Sequence, residues 1–205
     1  KYPEWTQLLI VSSFYILDLS ILIFFVRFLD RESFKELGFT SKNMKAALLS
    51  GFTASAGLIL LVPFFGIPPA FLGGEFLVLV FATFLIGITE EGYFRGYIQG
   101  KLKQIQSKTS AIVLTAILFA FAHIPKYIVS YEGPLFILIA IEAIRSITII
   151  GVLFGFLYDT VENLWCVIIA HMTWDLYLLE FPPTSLLADP ISMLAFLLMS
   201  TFLTY

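Results

Sequence analysis

The chain has 205 residues, of which 59% are hydrophobic, 17% aromatic and only 13% charged, with a mean hydropathy of +0.93. A soluble globular chain carries about 25% charged residues, so an ordinary cytosolic domain and a disordered chain are both excluded. The formal net charge of −3 and the acidic pI near 5.3 likewise exclude a nucleic-acid partner held by a basic surface.

What remains is an integral, multi-pass membrane protein whose main partner is the lipid bilayer. Its single cysteine, Cys166, forms no intrachain disulfide. The chain opens on Lys1 without a methionine. Its first apolar run is too long for a cleavable signal peptide and is followed by Arg27 and Arg31, so none is expected.

Crossing a bilayer takes roughly 20 apolar residues of helix. The first run covers 6–28 and is interrupted by Asp18. A polar stretch, 30–45, mixes Arg31, Glu32, Lys35, Glu36, Lys42 and Lys45 with Phe34, Leu37 and Phe39, a pattern that predicts a short interfacial helix ending at Gly38. The second run, 46–65, stops at Gly66, Pro68 and Pro69, and the third, 75–100, carries Glu90, Glu91 and Arg95 inside it. A basic connection of Lys101, Lys103 and Lys108 leads to the fourth run, 109–124, which Pro125 closes. The fifth run, 134–158, contains Glu142 and Arg145. The sixth covers 163–180, and the seventh, 186–203, follows Pro182 and Pro183.

Barrel strands would alternate over stretches of about ten residues, and these unbroken runs do not. The expected fold is all-α: one polytopic bundle of about seven to eight transmembrane helices over 1–205, with a motif-bearing core at about 75–180. Gly151 and Gly155 form a G-x-x-x-G that lets the fifth helix approach a neighbour. Lysine and arginine cluster between spans one and two and between spans three and four, whereas the alternate connections hold only Lys126. The basic loops are therefore expected to face the cytoplasm.

An ionisable side chain at membrane depth is costly and is a functional-site candidate by default. Glu91 and Arg95 are spaced i, i+4, acid before base, and read as a structural pair. Glu90 lies about 100° round the same helix, so that pair leaves it available as a general base or acid. Glu142 and Arg145, at i, i+3, read as another internal pair. Asp18 faces either a polar crevice or another helix.

The only two histidines, His123 and His171, lie in apolar helices, and His171 shares a face with Asp175 at i, i+4. Either histidine alone could simply bridge helices by hydrogen bonding. Four costly groups on three helices (Glu90, His123, His171 and Asp175) are difficult to explain by packing. Two chemistries fit them. One is a catalytic zinc site, with Glu90, His123 and His171 as ligands and water in the open position. In the other, without metal, Glu90 and His123 deprotonate a water while His171 and Asp175 orient substrate or stabilise an oxyanion. The chain lacks H-E-x-x-H and G-x-S-x-G, which disfavours ordinary zincins and serine nucleophiles.

Glu90-Glu91-x-x-x-Arg95, Phe119-x-x-x-His123 and His171-x-x-x-Asp175, each on its own span, resemble the three ordered motifs of the CAAX protease and bacteriocin-processing family. That family includes the type II CAAX prenyl endopeptidases, and the run Phe94-Arg95-Gly96-Tyr97-Ile98-Gln99 is also similar to its wording. The resemblance implies an intramembrane endopeptidase cutting near the C-terminus of a membrane-bound substrate. In the prenyl-processing branch the last three residues are removed after a lipidated cysteine.

On the same ground, Glu90 and His123 would activate water, His171 and Asp175 would stabilise the oxyanion, and Glu91 and Arg95 would support the site. No cofactor is favoured, with zinc the alternative. Asp175 stands where prenyl-processing members often have Asn, and an ionised Asp cannot donate to an oxyanion; it must be protonated, orient His171, or bind a metal. Two other functions are compatible with the buried set: a proton- or metal-coupled transporter using it as a relay, and a non-catalytic immunity or scaffold protein.

Overall fold

In lipid every backbone polar group must be satisfied within the protein, which favours helices for long apolar runs, and the computed structural model is helical throughout its regular parts. It describes residues 4–59, 73–74, 76–125 and 136–178. Helix α1, Glu4–Phe24, runs on through a π turn at Phe25–Leu29. Helix α2 is Met44–Ile59. Helix α3 covers Phe76–Ile105 and consists of an α-helical part, Phe76–Glu91, a wider π-helical part, Gly92–Gln99, and a last turn, Gly100–Ile105. Helices α4, α5 and α6 are Lys108–Ala122, Phe136–Val161 and Trp165–Leu178.

These are six helices among the described residues, with no strand, where seven to eight spans were expected. The seventh run, 186–203, lies outside the described residues. Among the described residues, three stretches are long and apolar enough to cross a membrane by length and composition: Leu8–Leu29, Phe76–Ile105 and Ala140–Val161.

Helix α3 sits between α1 and α6, α2 packs on α6, and α4 packs on α5. The main core gathers Val167, Ile168 and Ala170 of α6 with Ala47 and Ala54 of α2 and Phe154 of α5; Leu22, Val26 and Leu37 make a smaller one. Large apolar side chains such as Phe14, Phe28, Leu49 and Leu77 point outward, as a lipid-facing surface requires. The G-x-x-x-G expectation is met: a β-carbon at Gly151 would come within 3.0 Å of Ala116, and one at Gly155 within 2.7 Å of Ile112.

The ends of α1, α3 and α5 and the starts of α2, α4 and α6 share one pole of the bundle, where four lysines are tied down. Lys101 pairs with Asp30 at 2.8 Å and Glu32 at 2.7 Å, Lys42 pairs with Glu162 at 2.6 Å, and Lys103 and Lys108 both pair with Asp159. Lys101, and after it Tyr97, hold the Asp30 carboxyl below its ordinary range by hydrogen bonding. Lys42 does the same for Glu162.

Two expectations are corrected here. The polar stretch 30–45 forms no interfacial helix: residues 30–43 are a strap of turns across this pole, and α2 begins at Met44. Its backbone groups are taken by tertiary partners: Tyr158 donates to Leu37 O, Leu164 N–H to Gly38 O, and Asn163 Nδ2 to both Thr40 O and Lys42 O. Gly38 turns the chain at φ +96°. Glu142 and Arg145 do pair, at 2.6 Å, but with 48% and 42% of their side chains exposed they are not internal. Helix α5 turns its small residues inward, which puts this pair on the outer face.

Candidate active site

Glu90 and Glu91 are the last two α-helical residues of α3 before the backbone widens into the π-helical part. Such widenings change which way side chains point and recur at functional sites. Adjacent residues diverge by about 100° on a helix, so one carboxylate turns into the bundle and the other toward a pocket.

Glu91 turns inward and is fully buried. Its Oε1 accepts from Arg95 Nη1 at 2.9 Å and lies 2.6 Å from His171 Nδ1. Arg95, also fully buried, donates through Nη2 to Gly151 O at 3.3 Å and lies with Cζ 4.4 Å from the centroid of the Phe119 ring. A carboxylate only accepts, so His171 Nδ1 carries the hydrogen it shares with Glu91, and Nε2 is left facing the pocket.

Glu90 turns toward α1, α4 and α6. Its Oε1 accepts from the Tyr15 hydroxyl at 2.6 Å. Its Oε2 is buried without a hydrogen-bond partner among the described residues. This oxygen lies 3.8 Å from His123 Nε2 and 3.7 Å from His171 Nε2. Both gaps exceed direct hydrogen-bonding distance and suit a bridging water.

His123 caps the C-terminal end of α4, and its Nδ1 is 2.8 Å from Phe119 O. A carbonyl only accepts, so this contact assigns the hydrogen to Nδ1; in the neutral ring Nε2 then presents its lone pair toward Glu90. Asp175 Oδ2 lies 3.5 Å from His171 Nε2.

The Phe119 ring is the hub of the arrangement. It meets Phe94 edge-on at 5.0 Å, His123 at 4.7 Å and His171 at 5.9 Å, with the Arg95 cation on it as well. One aromatic side chain thus orients both histidines, which gives a physical reason for a phenylalanine one turn before His123.

All four expected site residues line a single pocket: Glu90 from α3, His123 at the end of α4, and His171 and Asp175 from α6. Glu91 and Arg95 stand behind them. Asp18 faces this crevice from α1, which decides between its two readings, and Tyr93 and Thr89 complete the wall. Sequence reasoning did not single out Tyr15. The one signal was its place one turn before Asp18 in an apolar helix. Among the described residues no three His, Cys, Asp or Glu side chains are arranged to hold a metal ion.

A family model described as type II CAAX prenyl endopeptidase Rce1-like matches residues 72–177, just over half of the chain and all three motif segments. No curated protein and no solved structure matches the chain. By that match, the chain belongs to the Rce1-like family of type II CAAX prenyl endopeptidases.

Proposed function

We propose that the chain is an intramembrane endopeptidase in which Glu90 activates water for hydrolysis of a peptide bond near the C-terminus of a membrane-bound, prenylated CAAX-type substrate. The observation that carries this reading is the orphaned Glu90 Oε2 opposite two imidazole Nε2 atoms. A water there donates one hydrogen to Glu90 Oε2 and the other to His123 Nε2, so its lone pair is free to attack the scissile carbonyl.

Glu90 takes the proton as the C–O bond forms and returns it to the departing amine as the C–N bond breaks. His171 stabilises the oxyanion from Nε2. It must then be an imidazolium, because its Nδ1 hydrogen is held by Glu91; Glu90, Glu91 and Asp175 supply the compensating charge. The 3.5 Å approach of Asp175 Oδ2 to His171 Nε2 supports Asp175 as the group that orients His171. Glu91 and Arg95 hold the scaffold.

This mechanism needs no metal; zinc on Glu90, His123 and His171 is the alternative chemistry. A transporter using the same buried set explains none of the family match. The basic pole is read as cytoplasmic, and the whole of 1–205 as one transmembrane domain with its motifs in 75–180.

The test is cleavage of farnesylated and unlipidated peptides by the purified protein in detergent, with and without chelator. Glu90→Ala and His123→Ala should each lower turnover by about 10²–10⁴-fold while the helical signal stays unchanged. Robust turnover by Glu90→Ala would sink the reading. Activity lost to chelator and restored by zinc would replace the metal-free mechanism with the zinc one.

A further inference from the structure

Glu90 reaches the pocket on a flexible side chain, yet only one of its oxygens faces the histidines. The Tyr15 hydroxyl donates to Oε1 at 2.6 Å across a separation of 75 residues. The same tyrosine is held at its backbone, where Thr89 Oγ1 donates to Tyr15 O at 3.4 Å. One turn further along α1, Tyr93 OH donates to Asp18 O at 3.0 Å. Together these contacts clamp α1 against α3 on both sides of Glu90. Helix α1 also lies entirely outside the residues that match the family model.

We propose that Tyr15 is the positioning residue of the water-activating carboxylate: its hydroxyl ties Glu90 Oε1 to α1 and leaves Oε2 as the oxygen that faces both histidines. This rests on Glu90 being the base. A hydrogen bond to a charged group holds strongly in a water-poor site. Without it the Glu90 carboxylate rotates to accept directly from His171 Nε2, closing the 3.7 Å separation beside which the water is held. Substrate contacts elsewhere in the pocket are untouched, so the loss falls on turnover rather than on binding.

The experiment compares wild type, Tyr15→Phe and Glu90→Gln on a farnesylated peptide. Tyr15→Phe keeps the ring between α1 and α3 and loses only the donor. Its kcat should fall about ten- to a hundred-fold with KM changed less than about two-fold, where a packing role would leave kcat at the wild-type level. Ultraviolet resonance Raman difference spectra, wild type minus Tyr15→Phe, should isolate a tyrosine donating to a carboxylate; a difference spectrum without that donor signature overturns the inference whatever the kinetics.

Should Tyr15→Phe fail to fold, 3-fluorotyrosine at position 15 preserves the contact and changes its donor strength. It should then change kcat at constant KM, and an unchanged kcat counts against the assignment. Wild-type kcat in Tyr15→Phe, with Glu90→Gln inactive, overturns the Tyr15 inference alone. Turnover by Glu90→Gln overturns the base reading, and this inference with it.

Discussion

Glu90 and Glu91 are neighbours in the chain with opposite surroundings. Glu91 holds a fully buried Arg95 at 2.9 Å and the Nδ1 of His171 at 2.6 Å, whereas Glu90 keeps one oxygen for the pocket. Their amides should therefore separate stability from activity. Glu91→Gln strands the Arg95 charge in the bundle and should cost about 3–5 kcal/mol, read as a fall in the thermal unfolding midpoint in detergent. Glu90→Gln should leave that midpoint much closer to wild type and abolish turnover. Equal midpoints for the two variants would refute the division of roles.

Helical spacing made part of this legible in advance, since Glu91–Arg95 and His171–Asp175 are both i, i+4 pairs. The Glu91–His171 and Tyr15–Glu90 contacts span 80 and 75 residues. Nothing in local spacing announces them, because they exist only once α1, α3 and α6 are packed.

Helices that carry a site must approach one another closely, and small residues set how closely they do so. Along α5, Gly155 has no room for a side chain: a β-carbon would meet Ile112 Cγ2 at 2.7 Å and Gln99 Oε1 at 3.0 Å. Gly155→Val should push α5 off α4 and cost about 1–3 kcal/mol, loosening Phe119 on α4 and so the orientation of both histidines. Gly100, in the last part of α3, has nothing within 4 Å of such a β-carbon. Gly100→Ala should therefore be neutral or stabilise the helix by up to about 1 kcal/mol. Detergent unfolding midpoints distinguish the two, and a Gly155→Val midpoint at or above that of wild type would remove close packing as the reason for this glycine.

The G-x-x-x-G was readable from sequence as a pattern, but its partner helix was not. The strap at 30–43 departs from the sequence expectation for the converse reason. Its apolar and charged residues suit an amphipathic helix, yet Tyr158, Asn163 and Leu164, more than a hundred residues away, hold its carbonyls in turns.

At the scale of the molecule, lysines and acids at or just beyond the ends of α1, α3 and α5 and the starts of α2 and α4 meet at one pole. Asp30 is held below its ordinary value of 3.8 by Lys101, so its contribution to stability is complete at neutral pH and is lost as pH falls from that value through the lower folded one. Acid unfolding scans should show a fall there that is shallower in Lys101→Met.

The proposed orientation rests on the same pole. Arg27, Arg31, Lys35, Lys42, Lys45, Lys101, Lys103 and Lys108 lie at the end of α1, in its connection to α2, and around the turn from α3 to α4, and short basic loops stay on the cytoplasmic side. Gln106, exposed between α3 and α4, and Gly74, exposed before the start of α3, bracket a helix about 45 Å long and report on opposite sides. Cys166 is fully buried, so native background labelling should be low. In intact cells a membrane-impermeant maleimide should modify Gly74→Cys, and it should reach Gln106→Cys only after permeabilisation. The reverse pattern would invert the molecule. Because α3 carries Glu90 between these two points, it would also reverse the side of the membrane from which the depth of the active site is counted.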